Sequence, residues 1–290
     1  MKKELNKVAK DINQFLNSYL KKQIKTNLIA PMRYGLFPGG KKIRSKILID
    51  VGKICNVNYK TLIKVAAAIE CIHAYSLIHD DLPCMDNDDI RRGKLSTHKK
   101  YGEATAVLAG NSLLTLAFEI LSDRNLLLKE QVKLKLIKFI SESSGHSGIA
   151  GGQYLDLSFE KKKNSIKKII DMQIKKTGKL FVFVCLAPAL IVNKDKKIIN
   201  RLEKIGHKIG LLFQIVDDLI DYRGNSIEVG KKTKKDKKKG KATLISLLGY
   251  QNTIKYAHKL KVAILKKLAI FGKKGDSLKN TIQLILERDK

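Results

Sequence analysis

Two clusters of aspartates carry the residues best suited to chemistry. The first runs His79-Asp80-Asp81-Leu82-Pro83-Cys84-Met85-Asp86-Asn87-Asp88-Asp89 and is followed at once by Ile90-Arg91-Arg92-Gly93, so five carboxylates fall within ten residues. Such crowding of like charge calls for a cation to neutralise it. The second is Phe213-Gln214-Ile215-Val216-Asp217-Asp218-Leu219-Ile220-Asp221. A four-residue spacing puts Asp217 and Asp221 about 40° apart on one helix face, which destabilises a bare helix. Oxygen donors without clustered His or Cys suit Mg2+ rather than zinc or copper. Two acidic helix ends facing a common cavity would make a site for roughly two or three Mg2+ ions.

The first cluster follows a mostly apolar segment, Val65 to Ile78, so Asp80 and Asp81 fall at the C-terminal end of a buried helix. That is the unfavourable end of the helix dipole for acids. A plain solvated acidic loop is the simpler reading, but it does not account for so apolar an approach. Asp80 and Asp86 are six positions apart, about 120° out of phase on an ideal helix. They can share a metal only if the helix opens between them, and Pro83 supplies the opening.

Cations are set around these acids. Gly39-Gly40-Lys41-Lys42-Ile43-Arg44 reads as a Gly-rich turn before a helix whose first turn carries Lys41 and Arg44. Free backbone N–H groups and positive charge together make an anion cradle. Arg91 and Arg92 follow the acids directly, so one loop can hold a metal and the phosphate it bridges. Lys175-Lys176-Thr177-Gly178 and the tract from Lys231 to Lys241 add mobile positive charge.

Positioning such groups requires long helices. Apolar residues recur at three- and four-residue spacing without sustained strand-like alternation, which predicts an all-α fold. Helices are expected near 3–25, 41–55, 59–82, 103–122, 130–146, 166–188, 195–222, 241–248, 251–269 and 277–288. The small-residue stretch from Ser144 to Gly152 predicts a break that lets helices or a ligand approach closely. No repeat or linker-like shift in composition interrupts the chain, so one domain over residues 1–290 is expected.

With 44% hydrophobic residues over 290 positions, the chain can bury a large core, which excludes disorder as its main state. Its 58 Lys and Arg against 27 Asp and Glu leave a net charge of +31, a balance that suits a nucleic acid, an acidic membrane or a phosphorylated substrate. Only eight of those 58 are Arg, and there is no Trp. A nucleic-acid reader would more often use Arg and stacking aromatics, so most of the Lys reads as a coat on solvated helix faces. A non-enzymatic basic helical nucleic-acid-binding protein is the alternative from another class, and it leaves both acidic clusters unexplained because they would repel phosphate. Cys55, Cys71, Cys84 and Cys185 show no CxxC spacing, which argues against a zinc site or disulfide framework and fits a reduced cytoplasm. The N-terminus lacks the apolar stretch of a signal peptide, and the run from Leu180 to Val192 is too short to span a bilayer, so a soluble protein is expected.

In their order along the chain these segments resemble the trans-isoprenyl diphosphate synthase family, and within it the bacterial farnesyl diphosphate synthases (geranyltranstransferases). The resemblance runs through Gly39 to Arg44, Glu70 to His79, DDLPCMDNDDIRRG, Gly151-Gly152-Gln153, Lys176-Thr177-Gly178, FQIVDDLID and Gly230-Lys231, covering roughly residues 30 to 250. It implies an isoprenoid synthase fold of about ten helices around a central cavity, usually as a homodimer. By the same resemblance Asp80 and Asp86 bind Mg2+ from one side and Asp217 from the other, supported by Asp81, Asp218 and Asp221. Lys41, Arg44, His73 and Arg92 would hold isopentenyl diphosphate, and Arg91 the allylic diphosphate. Lys176, Thr177, Gln214 and Lys231 would complete the allylic site, with Lys176, Thr177 and Gln214 closest to the chemistry.

The implied reaction is prenyl transfer. Metal and cationic side chains stabilise charge growing on the departing diphosphate. The double bond of isopentenyl diphosphate attacks the allylic cation, and a proton is lost to the released diphosphate. Two residues depart from the family pattern beside the phosphate cradle: Lys42 stands where Arg is usual and Ser45 where Pro is usual. Val216 replaces an often polar residue. Tyr75, five positions before the first aspartate, is the bulky residue that commonly floors the cavity and suits a fifteen-carbon product. Geranylgeranyl diphosphate synthase, with a twenty-carbon product, is the alternative within the family.

Overall fold

Helix formation follows directly from apolar spacing at the start of the chain. Leu5, Val8, Ile12, Leu16 and Leu20 recur every three or four residues, and all are buried on one face of α1 (Lys2–Lys21). The computed structural model describes residues 2–37, 39–160, 162, 164–224 and 243–288, which are mostly helical. They divide into two compact units, Met1–Ile49 with Val57–Ile137 and Asp50–Asn56 with Lys138–Lys290.

The first unit contains α1, α2 (Ile29–Leu36), the first part of α3 (Ile43–Cys55), α4 (Tyr59–Asp80), α5 (Thr97–Tyr101) and α6 (Glu103–Ser122). Asn58 caps α4, its side-chain oxygen accepting the Lys60 and Thr61 N–H groups at 2.9 and 3.4 Å. Every residue from Val65 to Ile72 is buried, so α4 is the inner helix of this unit. α6 packs along it and buries Ala106, Ala109, Leu113 and Ala117. By length and composition both α4 and α6 could cross a membrane, but most of α4 is covered by the protein itself. Between α4 and α5 lies an antiparallel hairpin, β1 (Ile90–Arg91) with β2 (Lys94–Leu95), registered Ile90 to Leu95 and Arg91 to Lys94.

The second unit contains the end of α7 (Glu130–Ser144), α8 (Ile149–Phe159), α9 (Ile166–Gln173), a π-helical turn (Ile174–Gly178), α10 (Lys179–Ile191) and α11 (Lys196–Arg223). α10 is apolar nearly throughout and buried from Leu180 to Ala189, Pro188 included. α11 is capped by Asp195, which accepts the Ile198 N–H at 2.8 Å, and stops at Gly224 in the left-handed conformation. The C-terminal helix Asp276–Leu286 is tied to the end of α3 by a fully buried carboxylate. Asp50 accepts the Ser277 and Thr281 hydroxyls, each at 2.6 Å.

The long helices match the apolar periodicity, but the short elements do not follow from it. α2, α5, α8 and the hairpin are additional to the expected helices, and the region expected as one helix over 166–188 is broken by the π turn. The expected small-residue break is confined to 145–148, with Gly151 and Gly152 inside α8. α3 begins at Ile43, so Lys41 and Lys42 precede the helix instead of lying in its first turn.

Candidate active site

In the first unit, α4 ends at Asp80 and the chain folds back on itself. The Asp86 N–H donates to the Asp80 carbonyl at 2.8 Å, the Asn87 N–H to Leu82 at 3.0 Å and the Asp88 N–H to Asp81 at 3.1 Å. This turn brings Asp80 and Asp86 together although an unbroken helix would set them on different faces. The hairpin then reverses through Arg92 and Gly93, both at positive φ (54° and 74°), as in a type I′ turn. Arg91 thereby reaches back to Asp81, its Nε donating to the two carboxylate oxygens at 3.0 and 3.1 Å while its Nη2 donates to Oδ1. Asp88 adds a second carboxylate, 3.6 Å from the same guanidinium. Burial pushes the Asp81 carboxyl up and the Arg91 guanidinium opposes that shift.

The cationic side of this unit surrounds one buried acid. Glu70 takes the Lys42 ammonium at 3.0 Å and the Ser45 hydroxyl at 2.5 Å. Arg44 lies 3.5 Å from Nε2 of His73. Burial, and then the Arg44 and Arg92 guanidinium groups, hold His73 well below the ordinary imidazole range, so its ring is neutral. A neutral ring can accept from Arg44 through Nε2 and donate through its other nitrogen.

In the second unit, Thr177 and Lys176 sit on the π turn, a local widening that often marks functional helices. The Thr177 hydroxyl donates to Gln214 Oε1 at 2.8 Å, and Gln214 Nε2 donates to Asp218 Oδ1 at 2.8 Å. Gln173 Nε2 fills the other oxygen of Asp218 at 3.2 Å. Lys176 pairs with Asp156 at 2.7 Å, and Lys175 with Asp171 at 2.9 Å, so neither lysine is the mobile charge that the sequence suggests. α8 comes close to this turn: a Cβ on Gly152 would stand 2.1 Å from the backbone nitrogen of Lys176. Asp217 and Asp221 lie on α11, Asp221 buried and Asp217 half-buried. Arg288 pairs with Asp217 at 2.7 Å, donates to the Phe213 carbonyl at 2.8 Å and covers the Phe213 ring at 3.8 Å. Arg288 thus occupies one acceptor site of the Asp217 carboxylate.

Of the predicted site residues, Asp80, Asp86, Arg44, His73 and Arg92 are placed in the first unit with Lys41 and Arg91, and Lys176, Thr177, Gln214 and Asp217 in the second. Lys231 lies outside the described residues. Among the described residues no three His, Cys, Asp or Glu side chains form a ready-made metal cage. Sequence reasoning did not single out Asp156, Gln173 or Arg288, and it noted Ser45 and Glu70 without giving either a partner. Glu70 had a signal, a charge in the middle of an apolar helical run; Arg288 had none.

The family model for polyprenyl synthetases matches residues 25–280. The chain belongs to the polyprenyl synthetase family. Among curated members, the farnesyl diphosphate synthase of Micrococcus luteus is 38% identical over 275 residues, covering 95% of this chain and 93% of the relative. Among solved members, an FPP/GFPP synthase from Zymomonas mobilis superposes with a TM-score of 0.89 at 38% identity, covering 98% of each chain. A geranyltransferase from Helicobacter pylori, solved with magnesium and isoprenyl diphosphate, gives 0.83 at 33% identity over 97% of this chain and 96% of its own. A polyprenyl synthetase fold accounts for the all-α architecture, and prenyl transfer accounts for aspartates and arginines held together on the same loops.

Proposed function

We propose that this chain is a farnesyl diphosphate synthase, condensing isopentenyl diphosphate with dimethylallyl and then geranyl diphosphate. The observation that carries the reading is the turn closed by the Asp86 N–H on the Asp80 carbonyl, which sets two carboxylates beside the hairpin bearing Arg91 and Arg92. Asp80, Asp86 and Asp217 are the residues that would hold Mg2+, and their all-oxygen chemistry fits that ion. Asp81, held by Arg91, and Asp218, held by Gln214 and Gln173, support this set. When bound, Mg2+ neutralises charge on the departing diphosphate.

The chain's own residues divide the remaining work. Lys41, Arg44, neutral His73 and Arg92 bind the diphosphate of isopentenyl diphosphate. Arg91, Lys176 and Lys231 bind the allylic diphosphate, and the oxygen dipoles of Thr177 and Gln214 stabilise the allylic cation. The proton lost after attack leaves with the released diphosphate, so no side-chain nucleophile is needed. A cytoplasmic homodimer that binds neither nucleic acid nor a membrane is part of the same reading, supported by the family resemblance.

Purified protein with Mg2+, isopentenyl diphosphate and each of the five-, ten- and fifteen-carbon allylic diphosphates tests this reading through diphosphate release and product length. A fifteen-carbon product is expected, and no turnover with any allylic partner overturns the proposal. Asp80→Ala and Asp217→Ala should each reduce turnover by about a thousandfold while the circular dichroism spectrum stays unchanged.

A further inference from the structure

The two departures from the family pattern beside the cradle meet on one buried carboxylate. Only 3% of the Glu70 side chain is exposed; its Oε2 takes the Lys42 ammonium at 3.0 Å and its Oε1 accepts the Ser45 hydroxyl at 2.5 Å. An arginine at position 42, usual in the family, could fill both oxygens with the parallel N–H groups of its fork. Lysine is a point charge and here fills one. The proline usual at position 45 has no side-chain donor, whereas Ser45 has one and is completely buried. A buried carboxylate oxygen left without a partner is costly. The two replacements are therefore physically one exchange, in which the donor lost at position 42 returns at position 45.

Glu70 holds the anion cradle through Lys42. Lys42 lies at φ 49°, in the left-handed region that non-glycine residues seldom occupy. Its carbonyl accepts the Lys46 N–H at 2.9 Å as α3 begins. The neighbouring Gly40 lies against Arg92, whose Cζ would be 2.8 Å from a Cβ added there. Fixing Lys42 thus fixes the turn that presents Lys41 and Arg44 and receives Arg92.

We propose that Ser45 is a positioning residue for the isopentenyl diphosphate cradle, acting through Glu70 and Lys42; the identity of the anion rests on the synthase reading above. Ser45→Ala, Lys42→Arg and the double variant are compared in the full-length protein. Ser45→Ala should raise KM for isopentenyl diphosphate about tenfold, the scale of one lost buried hydrogen bond, with kcat and the KM for the allylic diphosphate held within about twofold. Adding Lys42→Arg should return that KM close to wild type, because the guanidinium refills Oε1. A general weakening of the fold would give neither this split nor this rescue. An unchanged KM in Ser45→Ala, or no rescue by arginine, overturns the proposal.

A thermal double-mutant cycle on substrate-free protein supplies an independent readout. Coupling between positions 42 and 45 supports the proposal, and additive effects overturn it. The cycle needs no turnover, so it stands even if the wild-type protein fails to use isopentenyl diphosphate, a result that would defeat the synthase reading instead. Should Ser45→Ala not fold, Ser45→Cys, a weak donor of similar size, replaces it in both measurements.

Discussion

Tyr75 is the residue whose single replacement has the most readable consequence. It is buried on α4, its ring standing edge-on to His79 at 5.6 Å between centroids, and burial followed by the Asp80 charge pushes its phenol up to about 12. The ring is therefore neutral and stands about 7.5 Å along the helix from Asp80, and its role as a cavity floor rests on the family resemblance. Tyr75→Ala is expected to lengthen the product beyond fifteen carbons; an unchanged chromatogram would remove Tyr75 from that role. The acidic clusters that carry Asp80, Asp86 and Asp217 were legible in the sequence because charge clusters are local. Their partners were less so. Arg91 stands near Asp81 in sequence, but Arg288 reaches Asp217 from 71 positions away, and no spacing rule connects them.

At the scale of elements, the periodicity that revealed the long helices says little about helices too short to show a full stripe. α2 carries Pro31 and Gly35, α5 has five residues, and α8 has Gly151 and Gly152 in its first turn, which read as a break. These pieces form because tertiary packing overrides weak local preference. The glycine at 152 is required for a different reason than a break. It lets α8 reach the π turn, so Gly152→Ala should force the Lys176 backbone outward. The expected cost is about 2 kcal/mol of stability by denaturant unfolding, together with a fall in kcat, because Lys176 and Thr177 move with the turn. Stability and kcat both equal to wild type would show that the turn is not held by this contact.

For the whole molecule, the +31 charge is mostly a lysine coat, yet not entirely. Lys42 is 8% exposed and Lys46 only 1%, each paired with a glutamate. Burial and neighbouring cations also decide a pH response. His73 in the unfolded chain titrates near 6.5, while in the folded chain it stays neutral well below that. Above the unfolded value neither state binds this proton and the full stability is present. As pH falls through that value only the unfolded chain takes it up, so stability is lost at about 1.4 kcal/mol per pH unit until the folded value is reached. Denaturant midpoints should fall between about pH 7 and about pH 5.5, and less so in His73→Gln; equal losses would exclude His73 as the source. The sequence by itself determined the helical class, the two acidic helix ends, the cationic segments around them and, through their order, the family, because periodicity and local charge are properties of neighbouring residues. Only the tertiary structure decided which partners satisfy those charges: Ser45 and Lys42 on Glu70, Gln214 and Gln173 on Asp218, Arg288 on Asp217. Burial makes each unfilled oxygen costly, and which distant donor can reach it depends on how helices far apart in sequence are packed.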